Sequence, residues 1–426
     1  MPPIFCLGGK GKGQWWCIGR EEDIVPKALE GIRILEWGIF HAGPGATAIL
    51  ADLGAEVVKI EQPGVGDPIR LLSHFGKANV SLNGRSLFYE GANRHKKNIT
   101  VDLKTEKGRE IAYRLVAKSD IFMTNIRQKA VEKLGMTYPI LKEINPKIIY
   151  ATVSGYGPRG PESQQGAFDF HGQARSGMMY CMGEPNMPPL LIHFGVIDQA
   201  TAIMASHAIL TALFARERTG KGQEIHVSIL GAALFLQYFN VMNAMIMGQP
   251  VPRHERCSTD PLRNYYQCQD GKWVCITVSY QMGAWEEFCG VIGHPELAKD
   301  PRFESRESRL ENCEELIVIF DRIFASRPQR EWHSAFVESG IFATQVNSPM
   351  DLSNDPQVLE NGYLVDFDHP FFGPCLVPGY PAHFSETPAD TRGKAPEQGE
   401  HTEEILRELV GYSDSEIKQL KAEGVV

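Results

Sequence analysis

From Gly31 onward, short apolar runs alternate with segments of helical period, and no other feature of the chain limits its fold so tightly. Strands that recur with a helical segment between them form βαβ units, which assemble into a parallel sheet covered by helices. Ile32–Glu36 is expected as the first strand. Gly43-Pro44-Gly45 then turns into a helix over Ala46–Leu53, where the missing N–H of Pro44 costs nothing in the first turn, and Gly54 stops it. Glu56–Glu61 is the second strand and ends in the breaker-rich stretch Gln62–Pro68. Asn98–Leu103, Asp120–Asn125 and Lys147–Val153 continue the series, and Thr105 opens a helix with Glu106 in its positively polarised first turn. The pattern predicts a doubly wound α/β domain.

After Ser154–Pro161 comes a long loop rich in Gly, Pro and Gln, beyond the carboxyl end of a strand, where open α/β sheets bind ligands. Near Tyr265 the pattern changes. Tyr266–Thr277 reads as a β-hairpin turned by Asp270-Gly271, with helical stretches from Met282 and Arg309, which makes a separate, smaller α+β domain. His401–Val426 reads as a helix pair broken near Gly411 and restarted by Ser413-Asp414-Ser415, with Glu416 completing the cap.

Several function classes fall away at this level. Lys plus Arg is 43 against 52 for Asp plus Glu, a net charge of -9, and no basic run gathers the charge that a phosphate backbone needs, so nucleic acid is not expected as a partner. The most apolar stretches, Ile197–Ala215 and Ser228–Gly248, are interrupted by polar residues such as Gln199, His207, Gln237 and Asn240, which fits buried helices rather than a membrane span. Nine scattered cysteines, an odd number without a CxxC pair, point to a reducing, cytoplasmic setting and no zinc site. Thirteen histidines include no HxH or HExxH pair, so no metal is expected. The first 28 residues lack the long apolar core of a secretory signal and read as a loose extension; their Gly-Lys run is not followed by the Gly-Lys-Ser/Thr of a phosphate loop. Gly43-x-Gly45-x-x-Ala48 with Glu61 imitates a dinucleotide fingerprint, but Pro44 removes a donor and the spacing to Glu61 is short.

Two aspartates stand out. Asp169 lies in Gly166-Ala167-Phe168-Asp169-Phe170-His171, and Asp198 in Phe194-Gly195-Val196-Ile197-Asp198-Gln199, directly before a segment of helical period that runs to Arg216. Asp198 reads as a helix N-cap. A nucleophile is compatible with that place, because helix-start amides would hold its carboxylate ionised.

Taken together, Gly31-Ile32-Arg33-Ile34-Leu35, Ala42-Gly43-Pro44, the run Ala51–Glu61, Asn145-Pro146-Lys147, Ser154-Gly155-Tyr156-Gly157, Arg216–Gln223 and Gly399-Glu400-His401-Thr402 carry a resemblance. In that order and spacing the chain resembles the class III CoA-transferases, of the formyl-CoA and carnitine-CoA transferase type, from about Leu29 to Val426. The resemblance implies a Rossmann-like large domain with a smaller α+β domain, in a homodimer of two interlocked rings. The domains expected are an extension over 1–28, a large CoA-binding domain over 29–230 completed by 375–426, a linker over 231–260, a small domain over 261–345 and a return linker over 346–374.

The same resemblance makes Asp198 the nucleophile, Asp169 a substrate-orienting carboxylate and His41 a contact to the substrate or its oxyanion. Gln62, Lys104, Asn125, Ile126 and Lys133 fall on the positions that contact CoA. No permanently bound cofactor or metal is implied: a CoA thioester is the substrate, with a small carboxylic acid as its partner. Transfer of CoA between acids suits an aspartate, which can be acylated and then itself carry CoA as a thioester. Backbone N–H groups at the start of the Gln199 helix are expected to hold the oxyanion. Pro252–Arg263 holds Arg253, His254, Glu255 and Arg256 in place of a run of glycines that closes formyl-CoA transferase sites, which argues against oxalate or formate. Phe168, Phe170, Met178, Met179, Tyr180 and Met182 hint at an apolar acyl group. The α-methylacyl-CoA racemases resemble the chain in the same segments, but their proton-carrying histidine falls on Phe168, whose ring cannot relay a proton. A non-catalytic CoA-binding subunit is the remaining alternative.

Overall fold

In a computed structural model the chain is described over residues 27–257, 259–278 and 283–426. The N-terminal extension falls almost wholly outside the described residues.

Six parallel strands form the central sheet: β1 (Arg33–Trp37), β2 (Glu56–Glu61), β3 (Lys97–Thr100), β4 (Ile121–Thr124), β5 (Ile149–Ser154) and β6 (Glu224–Ser228), in the order β6-β5-β4-β1-β2-β3. The chain runs outward from β1 to β3, then returns to β1's other side and runs outward again. The point of reversal lies between β1 and β4, which is where open α/β sheets form a ligand crevice. Both faces are covered, as the apolar runs require: Ile34, Val57 and Ile121 enter one core, and their neighbours Leu35, Val58 and Phe122 enter another.

On the first face lie α1 (Ala42–Asp52) and the long α4 (Val196–Thr219), with α2 (Glu106–Val116) and α3 (Asp169–Arg175) between them in sequence. Small residues let α1 and α4 meet closely: a Cβ on Gly45 would sit 3.1 Å from the Ala202 methyl. By length and composition α4 could cross a membrane; here Ile197, Ala202, Ala205, Ile209 and Leu213 are buried. The C-terminal tail returns to the other face, where Ile405, Leu406, Ile417 and Leu420 join the core and Asp102 N–H donates to the Val425 carbonyl at 2.8 Å. Ser413 and Glu416 form the reciprocal capping box expected of that tail.

A second sheet is antiparallel. β7 (Arg263–Gln267) and β8 (Trp273–Thr277) form the hairpin read from Asp270-Gly271, and β9 (Ala343–Val346) adds a third strand. Its helices enclose Tyr266, Phe288, Phe320, Phe324, Trp332 and Phe336. The helix expected from Met282, which itself lies outside the described residues, spans Ala284–Val291.

Three features differ from the sequence expectations. The first helix begins at Ala42 rather than Ala46, because Pro44 and its small neighbours fit a buried first turn. The stretch 231–260 is not a plain linker, since helices α5 (Ile229–Leu236) and α6 (Tyr238–Met247) occupy much of it. The stretch 346–374 likewise holds Leu364–His369, the first strand of a hairpin completed by Gly373–Pro378.

Candidate active site at the carboxyl edge of the sheet

The turn between β1 and α1 is held by its neighbours. Asn125, the first residue after β4, uses both ends of its carboxamide on Ile39, accepting from the N–H at 2.9 Å and donating to the carbonyl at 2.7 Å. Phe40 adopts a left-handed backbone, φ 60°, uncommon for an aromatic residue, and its N–H donates to Asp67 Oδ1 at 3.1 Å. Gly43 is required by proximity: a Cβ there would lie 3.1 Å from the Asn125 side chain and from Met123 Sδ.

Beneath the turn sits a buried charge cluster that local sequence reading does not find. Glu36 accepts from Lys59 at 2.7 Å and from Lys96 at 2.6 Å, and all three side chains are fully buried. Lys59 also donates to the Gly38 carbonyl at 2.8 Å and pairs with Asp67 at 3.0 Å; Lys96 donates to the Pro44 carbonyl at 2.8 Å. The two ammonium groups thus fasten both ends of the turn that carries His41. Burial alone would raise the Glu36 carboxyl, but Lys59 and Lys96 hold it at about 2. Burial outweighs Glu36 at Lys96 and brings that amine down to about 7.

His41 Nε2 lies 2.7 Å from Gln199 Oε1, and His41 Nδ1 is buried without a hydrogen-bond partner among the described residues. Burial lowers its pKa, against the Gln199 hydrogen bond and with help from Arg94 and Lys96, so the ring is neutral at pH 7. An orphaned N–H is rarer than an orphaned acceptor, so the proton sits on Nε2 and is donated to Gln199.

The two aspartates meet at the start of α4. Phe194 and Gly195 both take left-handed backbones, φ 64° and 78°, and aim the first turn of α4 at α3. Asp169 Oδ2 accepts from the backbone N–H of Ile197 at 2.6 Å and of Asp198 at 3.1 Å. Its Oδ1 accepts from Gln173 Nε2 at 2.6 Å. The buried Gln173 carboxamide also closes a two-way clasp on Ile192, donating to its carbonyl at 2.8 Å and accepting from its N–H at 2.9 Å.

This corrects the reading of Asp198 as the helix cap. Gly195 occupies the N-cap position, and Asp169 takes the amides of Ile197 and Asp198. The carboxylate of Asp198 has no hydrogen-bond or ion-pair partner among the described residues. Nor do helix-start amides hold it ionised: burial and the Asp169 carboxylate push it up to about 7. The same amides are therefore not free to hold an oxyanion.

Four of the five residues expected to contact CoA follow the carboxyl ends of central strands, and the fifth ends a helix. Gln62 directly follows β2, Lys104 follows β3, Asn125 and Ile126 follow β4, and Lys133 ends the helix Gln128–Lys133. Lys104 and Lys133 are exposed, whereas the Asn125 carboxamide is already spent on Ile39. Phe168 and Phe170 are 54% and 50% exposed beside the aspartates, with Phe168 edge-on to Phe40; Met178 is buried and belongs to the core. Arg253 donates to the carbonyls of Tyr180, Glu184 and Met187, holding a strand-less segment rather than facing an anion. Gln173 and Gln199 are the polar residues that sequence reading passed over. Gln173 could have been found from its i,i+4 spacing to Asp169, and Gln199 as a polar residue beginning an apolar helix.

Comparison with known proteins agrees with this architecture. The sequence profile described as CoA-transferase family III matches residues 29–402. Human succinyl-CoA:glutarate CoA-transferase is 33% identical, covering 99% of this chain and 95% of the relative. Formyl-CoA:oxalate CoA-transferase of Streptomyces avermitilis is 32% identical over 94% of this chain and 100% of the relative. The crystal structure of a CAIB/BAIF family protein from Brucella suis superimposes with a TM-score of 0.80 at 30% identity, covering 90% of this chain and 99% of that one. The chain belongs to CoA-transferase family III. It is an enzyme of the transferase class that moves CoA, with CoA thioesters as substrates.

Proposed function

We propose that this chain transfers CoA from an acyl-CoA donor to a carboxylic acid by covalent catalysis at Asp198. The observation that carries the reading is a carboxylate without a partner among the described residues, next in the chain to the Gln199 that meets His41, while its neighbour Asp169 binds the amides of Ile197 and Asp198. In the first step an oxygen of Asp198 adds to the thioester carbonyl, and the tetrahedral adduct expels CoA thiolate to leave an acyl-aspartyl anhydride. The thiolate then attacks the aspartyl carbonyl, releasing the donor acid and forming an aspartyl-CoA thioester. The acceptor carboxylate attacks that thioester, and the freed thiolate takes the acceptor's acyl group, restoring Asp198. Asp169 holds the start of α4 and the substrate's orientation, and His41 stands against Gln199, beside Asp198 in the chain. Gln62, Lys104, Ile126 and Lys133, with the Asn125 backbone, line the path for CoA.

Relatives named for succinyl-CoA, glutarate and D-citramalate support a short acid carrying a second carboxylate or hydroxyl as the substrate class. The racemase reading needs a proton carrier near Asp169. Phe168 offers none, and His171 Nδ1 accepts from the Phe168 N–H at 3.2 Å, within its own helix start.

We place the enzyme in the cytoplasm as an interlocked homodimer. The odd number of scattered cysteines supports the first. The second is supported by an apolar surface on α5 and α6, where Phe239 is 77% and Met245 76% exposed, beyond what a monomer usually leaves in water. The test is incubation of the purified chain with succinyl-CoA and a panel of short carboxylic acids, with acyl-CoA products followed by mass spectrometry. A new acyl-CoA formed by the wild type and not by Asp198→Asn supports the reading. Transfer that survives in Asp198→Ala overturns it.

A further inference from the structure

Attack on the thioester creates an oxyanion, and the donors first expected for it are taken. The N–H groups of Ile197 and Asp198 are bound by Asp169, the Gln199 N–H by the Gly195 carbonyl at 2.9 Å, and His41 Nε2 by the Gln199 side chain. The Gln199 side chain brings a further donor to this spot. His41 holds the Gln199 carboxamide by its oxygen at 2.7 Å, which turns the amide NH₂ away from the ring, and the exposed Gln199 has no other hydrogen-bond partner among the described residues. We propose that Gln199 is a catalytic residue: its NH₂ donates to the oxyanion formed when Asp198 adds to the thioester, and His41 is the positioning residue that aims it. The inference rests on the reading of Asp198 as nucleophile.

The step needs no proton transfer from Gln199. The new C–O bond to Asp198 moves the carbonyl electron pair onto oxygen, the amide hydrogen-bonds to that oxygen, and collapse expels the thiolate. A donor fixed before the reaction stabilises this charge without reorganising, and losing one costs roughly 10²- to 10³-fold in rate.

The experiment is single-turnover loading of the full-length protein with succinyl-CoA, no acceptor acid added, followed by intact mass and peptide mapping. Two variants separate the roles of the carboxamide. Gln199→Met removes donor and acceptor, whereas Gln199→Glu keeps the acceptor for His41 and removes the donor. Both are expected to load Asp198 about 10²-fold more slowly, with succinyl-CoA affinity changed by less than about threefold. His41→Phe should slow loading in the wild-type background but add nothing in Gln199→Met, a non-additivity that a purely structural role for His41 would not give. Loading of Gln199→Met at the wild-type rate overturns the inference and leaves the Asp198 reading standing. A wild-type chain that never loads Asp198 overturns both.

Discussion

Asp169 accepts a hydrogen bond from the backbone N–H of Asp198 at 3.1 Å, while the Asp198 side chain, on the same turn, is left without a partner among the described residues. One carboxylate satisfies the helix and stays put; the other is half-buried beside it and must be ionised to attack. Division of labour between paired carboxylates is set by environment, and here the environment favours Asp169 as anchor and Asp198 as reactant.

The pH dependence follows. Burial first and the Asp169 charge second push Asp198 up to about 7, so loading from succinyl-CoA should fall roughly tenfold per unit below that pH and level off above it. Asp169→Asn removes the like charge and should move the midpoint down, though not to the ordinary carboxylate range because burial remains. Single-turnover rates from pH 5 to about 9 measure this. A midpoint that stays or rises in the variant contradicts it.

The same raised acidity makes a stability prediction. A carboxyl with a folded-state pKa above its unfolded value of 3.8 binds more protons folded than unfolded, so the protein loses stability as pH rises from 3.8 to about 7 and keeps the full cost above that. Asp198→Asn should therefore stabilise the fold at pH 8, by about 1–2 kcal/mol once partial exposure is allowed for, and change little near pH 4. Denaturant titration at the two pH values checks the sign; equal effects at both would contradict it.

Gln173 ties the Asp169 carboxylate to the segment ending at Ile192 through three hydrogen bonds. Gln173→Leu removes all three hydrogen bonds and should cost about 1–3 kcal/mol. Hydrogen exchange should speed up first over 183–195 and the start of α4, with the β7–β9 sheet unchanged. Uniform loss of protection would show that Gln173 acts on the whole fold instead.

Lys59 pairs with Glu36 and Asp67 in full burial. Lys59→Met strips Asp67 of its ion pair and halves the compensation at Glu36, a change expected to cost about 3–5 kcal/mol. The pair Lys59→Met with Glu36→Leu should cost less than the sum of the single changes, which a double-mutant cycle by urea unfolding reads directly.

Much of this architecture was legible in the chain. Glu56–Glu61 is a strand with the bounds its apolar alternation implies, and Ser413 with Glu416 caps the last helix as their spacing requires. Asp169 and Asp198 were recognisable as residues of interest, yet the capping role read for Asp198 is filled by Asp169. A cap normally comes from the residue flanking its own helix, and here it arrives from a helix 29 positions earlier. The Glu36 cluster was illegible for the same reason: Lys96 is 60 positions from Glu36, and only the sheet order brings them together. Strand β6 escaped notice because Glu224-Ile225-His226-Val227-Ser228 is a polar edge strand of little apolar signal.

The most direct test is to incubate the protein with succinyl-CoA in the absence of an acceptor acid, trap with hydroxylamine or borohydride, and map the modified peptide by mass spectrometry. The account predicts a covalent acyl or CoA adduct on Asp198 in the wild type and none in Asp198→Asn. An unmodified wild type, or an adduct that persists in the variant, would contradict it.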